Sequence, residues 1–248
     1  MDKLLYIAAS GARQIAEAQA VNANNLANVN TPGFQADLTA ALARPVHGPG
    51  YDSRVYSQSR DPGVDFAKGQ MISTGRALDI AVSGQGWIAV QAADGSEAYT
   101  RAGDLRVSPQ GTLETGRGLP VLGDDGAPIV LPEAQKIDIG QDGTISVLPL
   151  GQQANTLALV GRIKLVSPDP AQMVKGSDGL LRMKDGQPAE ASADVRVLSG
   201  VLESSNVSAT EALMSMMALA RQFETQIKLM ETARENDAAS ARLMNING

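Results

Sequence analysis

The chain contains no cysteine and a single histidine, His47. Disulfide bonds, thiol nucleophiles and the usual zinc sites built from Cys and His are therefore excluded. A Ser-His-Asp triad would have to use His47. The lack of thiols suits an oxidising compartment. These absences exclude several common types of catalytic site. We expect no cofactor and no metal site.

Aromatic residues, long apolar runs and basic charge are also scarce. Aromatics make up 3% of the chain, and its net charge is -6. This mild acidity argues against nucleic acid or an anionic membrane as the main partner. The apolar segment 4–9 is far shorter than a membrane span and runs on into an amphipathic pattern. We expect neither membrane insertion nor a cleaved signal peptide.

Apolar and small residues recur at alternating intervals of three and four over residues 3–29, which predicts an amphipathic helix. The helix should end near Asn30, because Thr31 precedes Pro32 and is pushed toward extended geometry. The stripe consists of Leu5, Ala8, Ala12, Ile15, Gln19, Asn22, Leu26 and Val29.

A second stripe of this kind runs along the C-terminal segment. Ser208 and Glu211 have the spacing of a capping box and predict where this helix begins. The stripe consists of Leu213, Met216, Ala220, Phe223, Ile227, Met230, Arg234, Asp237, Ala241 and Met244.

Between the two helices the pattern changes to short apolar runs separated by turns. Asp-Gly pairs recur at Asp94, Asp125, Asp142, Asp178 and Asp185, and Asp-Gly between alternating segments is a strong hairpin signal. An antiparallel β domain is therefore predicted over residues 78–203. The stretch 33–77 is predicted to be an irregular connector, in which Phe34, Leu38 and Leu42 could continue a short helix.

The predicted fold class is α+β, with N- and C-terminal helices that pair as a coiled coil around an inserted antiparallel β domain. The predicted divisions are an N-terminal helix in 1–32, the connector 33–77, the β domain 78–203 and a C-terminal helix in 204–248. The helical seam is rich in Ala, Met and Asn, which bury little area. We interpret it as a pair that other subunits complete.

The segment NNLANVNTPGF, residues 24–34, places four asparagines at the end of a predicted helix and then breaks it. One interpretation is a polar helix end followed by a turn, since Asn favours such positions. The other is that buried amides form hydrogen bonds across a helix assembly and fix its register. Neither interpretation gives these residues a catalytic role.

These segments resemble the bacterial flagellar rod and hook protein family. ANNLANVNTPGF is similar to the N-terminal signature of that family. Residues 69–115 resemble the segment that leads into the family's β domain, and residues 199–213 and 216–244 resemble its C-terminal part. The chain is most similar to proximal rod members in its length and in the segments GRALDIAVSGQGW and ARQFETQIKLM. Distal rod members are the alternative, although they usually carry two Phe where this chain has Trp87 and Ile88.

The resemblance implies a structural subunit of the flagellar basal body, with the terminal helices in an inner tube and the β domain outside. Implied partners are copies of this chain, other proximal and distal rod proteins and the flagellar type III export apparatus. We hypothesise a bend at Thr31, Pro32 and Gly33 that steers the chain from tube to outer domain. Subunit contacts are expected at Leu5, Ile15, Asn22, Asn25, Leu26, Asn28, Val29, Leu213, Met216, Phe223, Ile227 and Met230.

Other functions were weighed on specific residues. Gly84-Gln85-Gly86 matches part of a dinucleotide fingerprint, but Trp87–Val90 is predicted to be a strand, and a hairpin is favoured over a nucleotide site. Asp94, Glu97 and Asp104 could serve a glycosidase, but solvated turn acids are favoured. A secreted enzyme or adhesin with a β head and a helical stalk stays open as the second class.

Overall fold

The computed structural model describes residues 2–45, 55–149, 151 and 157–246; His47 lies outside them. The chain folds into two compact units. The helical unit contains Met1–Ala27, Asp37–Asp65 and Val207–Gly248, and the β unit contains Asn28–Ala36 and Phe66–Asn206. Helices at both ends of the chain and an antiparallel β structure between them confirm the α+β class.

The helical unit is built on helices α1 (Asp2–Ala27) and α2 (Ala209–Ile246). At the start of α2, the Ser208 hydroxyl accepts the backbone N–H of Glu211 at 3.4 Å, as its predicted capping role requires. Helix α1 ends at Ala27 instead of near Asn30. The physical reason is a turn in which Thr31 N donates to Asn28 O at 3.0 Å.

The two helices run antiparallel. The Asn22 side chain reaches the carbonyl of Ala212, and Gly11 lies beside Gln226, so the α1 number falls as the α2 number rises. A methyl group on Gly11 would lie 3.2 Å from the Gln226 side chain, so the glycine leaves room for that side chain. A small residue in α1 therefore accommodates a long side chain of α2.

The seam of α2 differs from the predicted stripe at several positions. Its buried or half-buried residues are Ala212, Met216, Leu219, Phe223, Gln226, Ile227, Met230, Ala233 and Asp237. Leu213, Ala220, Arg234 and Ala241 are exposed, so their placement in the seam was wrong, and the side chain of Met244 lies outside the described residues. Two neighbouring registers satisfy the same three-and-four alternation. The seam takes the one with Ala212 and Ala233, whose small side chains let α1 approach.

A β-hairpin completes the helical unit. Strands β1 (Asp37–Pro45) and β2 (Val55–Val64) pair antiparallel, with a register shift between Leu38 and Ala40. The predicted short helix and the irregular character of this part of the 33–77 connector were therefore wrong. The apolar residues at 34, 38 and 42 suggested a helical period, but strand pairing supplies the backbone hydrogen bonds instead.

The β unit contains short strands and a one-turn 3-10 helix at Pro170–Gln172. In chain order the strands are β3 (Met71–Ser73), β4 (Ile80–Ser83), β5 (Trp87–Gln91), β6 (Glu97–Thr100), β7 (Leu105–Val107), β8 (Leu113–Thr115), β9 (Ala134–Ile139), β10 (Thr144–Pro149), β11 (Ala158–Arg162), β12 (Leu165–Val166), β13 (Met173–Lys175), β14 (Leu181–Met183), β15 (Arg196–Ser199) and β16 (Val201–Glu203).

The strands form antiparallel sheets that connect the beginning of this unit with its end. The largest sheet has the order β12-β5-β6-β14-β13, and a smaller one has the order β11-β10-β9. Strand β4 pairs with β15, and β3 pairs with β16. The predicted strand after Gly86 is confirmed as β5, but it pairs with β6 and β12, so no β4–β5 hairpin forms.

The Asp-Gly pairs form turns by a shared mechanism. In each, the glycine adopts a positive φ and the aspartate carboxylate accepts the backbone N–H two residues further on. Turns at Asp94, Asp142 and Asp178 join paired strands, as predicted. The turn at Asp185 follows β14 without a returning partner strand, so the hairpin expected there is absent.

Aliphatic side chains from these strands fill the core of the β unit. Ile80, Ile88, Leu113 and Ile145 are among the fully buried residues, and most of the cluster is Val, Ile or Leu. β-Branched residues pack well on strands, so a core with few aromatics is stable here. The predicted divisions at 32, 77 and 203 remain predictions. No described helix has both the length and the hydropathy that a membrane crossing needs.

Candidate subunit interface

The residues predicted for subunit contacts fall into exposed and half-buried groups. Leu5 and Leu213 are 39% and 50% exposed. The other apolar members, Ile15, Leu26, Val29, Met216, Phe223, Ile227 and Met230, are half-buried. Residual exposure on both helices leaves apolar surface for a neighbouring molecule, and the contact role of these residues remains a prediction.

Asn22 and Asn25 use their amides inside the helical unit. The Asn22 amide donates to the carbonyl oxygen of Ala212 at 2.7 Å. The Asn25 amide donates to Asp37 O and accepts from Asp37 N, both at 2.9 Å. Asn25 thereby imitates a strand partner at the start of β1. These amides fix the register of α1 against α2 and the hairpin within one chain.

Asn28 belongs to the β unit and shapes the turn after α1. Its side-chain oxygen accepts the Thr31 hydroxyl at 3.1 Å, and its carbonyl accepts Thr31 N at 3.0 Å. Asparagine suits this position because its short side chain competes with the helix for backbone groups. The amides of residues 22, 25 and 28 thus serve different elements.

Gly33 is required by the geometry of the predicted bend. Its φ is +64°, and a Cβ atom there would lie 2.2 Å from the backbone carbon of Arg101. Its N–H donates to the carbonyl oxygen of Glu203 at 2.8 Å. Only glycine combines this backbone conformation with so close an approach. The segment Thr31–Gly33 is held in place by its contacts within the β unit, and its steering role remains a prediction.

The two residues whose backbones Gly33 contacts, Arg101 and Glu203, form a buried ion pair. Arg101 Nε donates to Glu203 Oε2 at 2.8 Å, and the two side chains are 3% and 2% exposed. The guanidinium also donates to the carbonyls of Gly86 and Val82, and Glu203 Oε1 accepts Gly69 N at 3.0 Å. These bonds connect loops from both ends of the β unit.

The residues that follow Gly33 are held by aromatic and cationic contacts. Lys175 Nζ lies 4.0 Å from the ring centroid of Phe34 and donates to Gln35 O at 2.6 Å. Trp87 Nε1 donates to the side-chain oxygen of Gln35 at 3.1 Å. Phe66 meets Trp87 edge-on, with 5.9 Å between their centroids.

Asn206 closes this network from the C-terminal side. Its side-chain oxygen accepts Ala36 N at 2.8 Å, its side-chain amide donates to Ala67 O at 3.0 Å, and its backbone N–H donates to Phe34 O at 3.2 Å. We call residues 31–36 and 203–206, with Arg101, the junction. It ties together the segments through which the chain enters and leaves the β unit.

Sequence reasoning did not find Arg101, Glu203, Lys175 or Asn206. The first two are 102 positions apart in the chain, and no period or motif connects them. Burial of both charges is a consequence of the β3–β16 and β5–β6 pairings, which single-sequence patterns do not specify. Arg101 and Glu203 do lie within the segments that carry the family resemblance.

Two of the carboxylates considered for a glycosidase, Glu97 and Asp94, have other partners. Glu97 accepts Lys164 Nζ at 2.8 Å and the Tyr99 hydroxyl at 2.8 Å, and Asp94 accepts Ser96 within a turn. Burial raises the pKa of Asp104, and the nearby Asp79 carboxylate raises it further. Among the described residues, no group of three or more metal-ligating side chains comes together.

Comparisons with known proteins identify the family. Three family models match: "Flagella basal body rod protein" at residues 5–35, "Flagellar hook protein FlgE/F/G D1 domain" at 81–147, and "Flagellar basal body rod FlgEFG protein C-terminal" at 198–243. They cover both helices and the first half of the β unit.

Individual relatives match over all or nearly all of their length. The flagellar basal-body rod proteins FlgF of Escherichia coli K12 and of Salmonella typhimurium LT2 are each 44% identical, with 100% of both chains covered. The rod protein FlgG of Bacillus subtilis 168 is 28% identical over 95% of this chain and 96% of its own. The chain therefore belongs to the FlgF family of flagellar basal-body rod proteins.

Proposed function

We propose that the helical unit joins this chain to other rod proteins and to copies of itself, and that the resulting helical polymer transmits torque. Membership of the FlgF family makes the chain a structural subunit of the basal body rather than an enzyme. The FlgG alternative has less support, because the FlgG relative is 28% identical and the FlgF relatives are 44% identical.

The exposed apolar surface of the helical unit is the observation that carries this proposal. Leu213, Met214 and Met217 are half or more exposed although they lie on one helix within five residues. A patch of this kind marks a protein contact when it lies on a soluble domain. Contacts between different surfaces of identical or related subunits generate open helical polymers unless the rotation closes.

Export through the flagellar type III apparatus is part of the same proposal. The chain contains no cysteine, so no disulfide can form before the chain reaches the rod. The helical seam is rich in small residues, and area burial of small side chains contributes little free energy. An unfolded or loosely paired helical unit is therefore compatible with threading before assembly. Membrane insertion has no part in this proposal.

The test uses an E. coli strain that lacks its own FlgF. The intact chain should restore motility and should be recovered in purified basal bodies. A chain without residues 2–27 should do neither, because α1 supplies one side of the seam. Deletion should stop at Ala27 because residues 28–36 belong to the β unit.

Fluorescence of Trp87, the single tryptophan, provides the folding control for that deletion. The residue is buried in the β unit beside Phe66. Native-like emission from the shortened chain would show that its β unit still folds. Normal incorporation of the shortened chain into rods would contradict the proposed role of the helical unit.

A further inference from the structure

Asp79 and Asp104 place two carboxyl groups opposite each other in the β unit. The two residues are paired as an antiparallel bridge. Backbone hydrogen bonds of 2.9 and 3.2 Å on either side of the bridge join the adjacent residues and not the pair itself. In such a non-hydrogen-bonded pair the Cα atoms lie about 4.5 Å apart, and both side chains are on one face. We call Asp79 and Asp104 the carboxyl pair.

Each member of the carboxyl pair has one oxygen that a neighbour holds and one that has no hydrogen bond. Asp79 Oδ2 accepts the Thr74 hydroxyl at 2.6 Å. Asp104 Oδ2 lies against Gly116, where a Cβ atom would be 1.9 Å from it. Within the described part of the chain, both Oδ1 atoms are buried and have no hydrogen-bond partner. Arg76 Nε lies 3.6 Å from Asp79 Oδ1, too far for a hydrogen bond, and its side chain is 61% exposed.

The surroundings disfavour two negative charges on the carboxyl pair. Like charges directly opposite each other are destabilising, and Asp79 is 2% exposed. Burial raises the pKa of Asp104, the Asp79 carboxylate raises it further, and Arg76 offsets only part of this. On β7 and β8, strand alternation places Arg106 and Glu114 on the same face as Asp104. Their ion pair at 3.5 Å leaves little net charge there.

We propose that Asp79 and Asp104 share one proton, which forms a hydrogen bond between their Oδ1 atoms and makes the β unit sensitive to pH. A protonated carboxyl donates a hydrogen bond and a carboxylate accepts one, so a single proton gives both unpartnered oxygens a partner. Such a charge-assisted bond is short and strong. Because the two groups interact closely, the proton is lost from the pair as a unit.

The carboxyl pair lies where the segments that enter and leave the β unit are joined. Gly200 N donates to Asp79 O at 2.7 Å, and Thr74 N donates to Gly200 O at 2.9 Å. The turn 199–201 between β15 and β16 consists of uncharged residues. Loss of the shared proton leaves two opposed charges beside these bonds and weakens the connection.

The direction of the pH effect follows from where the proton binds more tightly. The folded chain binds it more tightly than the unfolded chain does. Its contribution to stability is therefore complete below the unfolded pKa of aspartate and is lost as the pH rises through the folded pKa of the pair. The β unit should thus be held more firmly in mild acid than at neutral pH. This inference concerns the β unit alone and is independent of the proposed function.

Urea unfolding of the full chain between pH 4 and pH 7, followed by the fluorescence of Trp87, tests the shared proton. In Asp79→Asn and in Asp104→Asn, the amide N–H₂ can donate to the remaining carboxylate at every pH, in place of the proton. For one proton, the unfolding equilibrium constant of the wild-type chain should rise relative to each variant by up to about tenfold per pH unit. The double variant should show the same pH dependence as either single variant, because one substitution already removes the shared proton.

Asp194→Asn is the matched control, because Asp194 is an exposed aspartate of the β unit. It removes one negative charge from the surface and should leave the wild-type pH dependence unchanged. Asp79→Asn distinguishes sharing from burial of a single group. If Asp104 alone held the proton, Asp79→Asn would keep most of the wild-type pH dependence, and the proposal would be wrong.

Carboxyl ¹³C NMR of the wild-type chain provides a measurement that does not depend on how well the variants fold. The side-chain carboxyl signals of Asp79 and Asp104, assigned from their backbone resonances, should shift together with one common midpoint. Movement of the Asp104 signal alone would overturn the proposal. Millimolar calcium or magnesium that stabilised the wild-type chain at pH 7, but neither Asn variant, would also overturn it, because the pair would then bind a cation.

Discussion

The buried pair of Arg101 and Glu203 gives the sharpest prediction about stability. Glu203→Gln keeps the shape of the side chain but removes its charge. Its amide has one oxygen for two buried donors, Arg101 Nε at 2.8 Å and Gly69 N at 3.0 Å. One donor therefore loses its acceptor, and the guanidinium remains charged in a site where it is 3% exposed.

Removal of one partner from a buried ion pair costs about 3–5 kcal/mol of unfolding free energy. Solvent screening reduces this little, since Glu203 is 2% exposed. For a chain of this size the loss corresponds to a melting temperature lower by about 10 °C. The junction contains this pair, so the loss should fall on the β unit.

The assay is urea unfolding followed by the fluorescence of Trp87, which reports on the β unit alone. A local probe is needed because two units can unfold in separate transitions. Glu114→Gln is the matched control: Glu114 pairs with Arg106 at 3.5 Å, where the arginine is 54% exposed. That variant should cost at most about 1 kcal/mol. If both variants lowered stability equally, the role assigned to the buried pair would be refuted.

Three further predictions concern other contacts. Gly33→Ala should destabilise the β unit by several times more than Gly75→Ala, because both have positive φ but only Gly33 faces a backbone atom within 4 Å; Trp87 fluorescence in urea compares them. Asn25→Ala removes two hydrogen bonds and should lower the unfolding free energy of the helical unit by about 1–3 kcal/mol. Asn22→Ala removes one hydrogen bond and should cost about half as much. Circular dichroism at 222 nm during unfolding measures both losses. Burial and the Asp79 carboxylate hold the pKa of Asp104 in the folded chain above its value in the unfolded chain. The wild-type chain therefore loses stability as the pH rises from the unfolded pKa to the folded pKa of this group. Asp104→Asn removes the charge and should raise stability at pH 7. Urea unfolding between pH 4 and 7 should show a smaller decline for the variant, and an unchanged slope would contradict this assignment.

The terminal helices and the β character of the middle were predictable because they depend on local signals. Apolar spacing, the Ser208 cap and the Asp-Gly turns each act within a few residues. The register of α2 was not predictable, since Ala212 and Leu213 both satisfy the alternation. Ala212 is the buried one of the two, and its carbonyl oxygen accepts the Asn22 amide of α1, so the choice of register depends on the second helix.

The hairpin and the junction were missed for a related reason. Strands β1 and β2 are defined by their pairing, and the apolar residues at 34, 38 and 42 also fit a helix. Both interpretations of the asparagines have a counterpart within one chain, since Asn28 lies in a turn after α1 and the Asn22 amide bonds to α2, but the role of Asn25 beside β1 was not predicted. Asn25 forms hydrogen bonds with the backbone at the start of β1, and Asn28 forms a turn, so each residue stabilises the backbone close to it in the chain.

Cryo-electron microscopy of basal bodies from the complemented strain tests the central claim most directly. The account predicts that α1 and α2 of each copy contact neighbouring rod subunits, with Met214 and Met217 buried between chains. Rods in which these methionines face solvent, and in which both helices contact only their own chain, would contradict it.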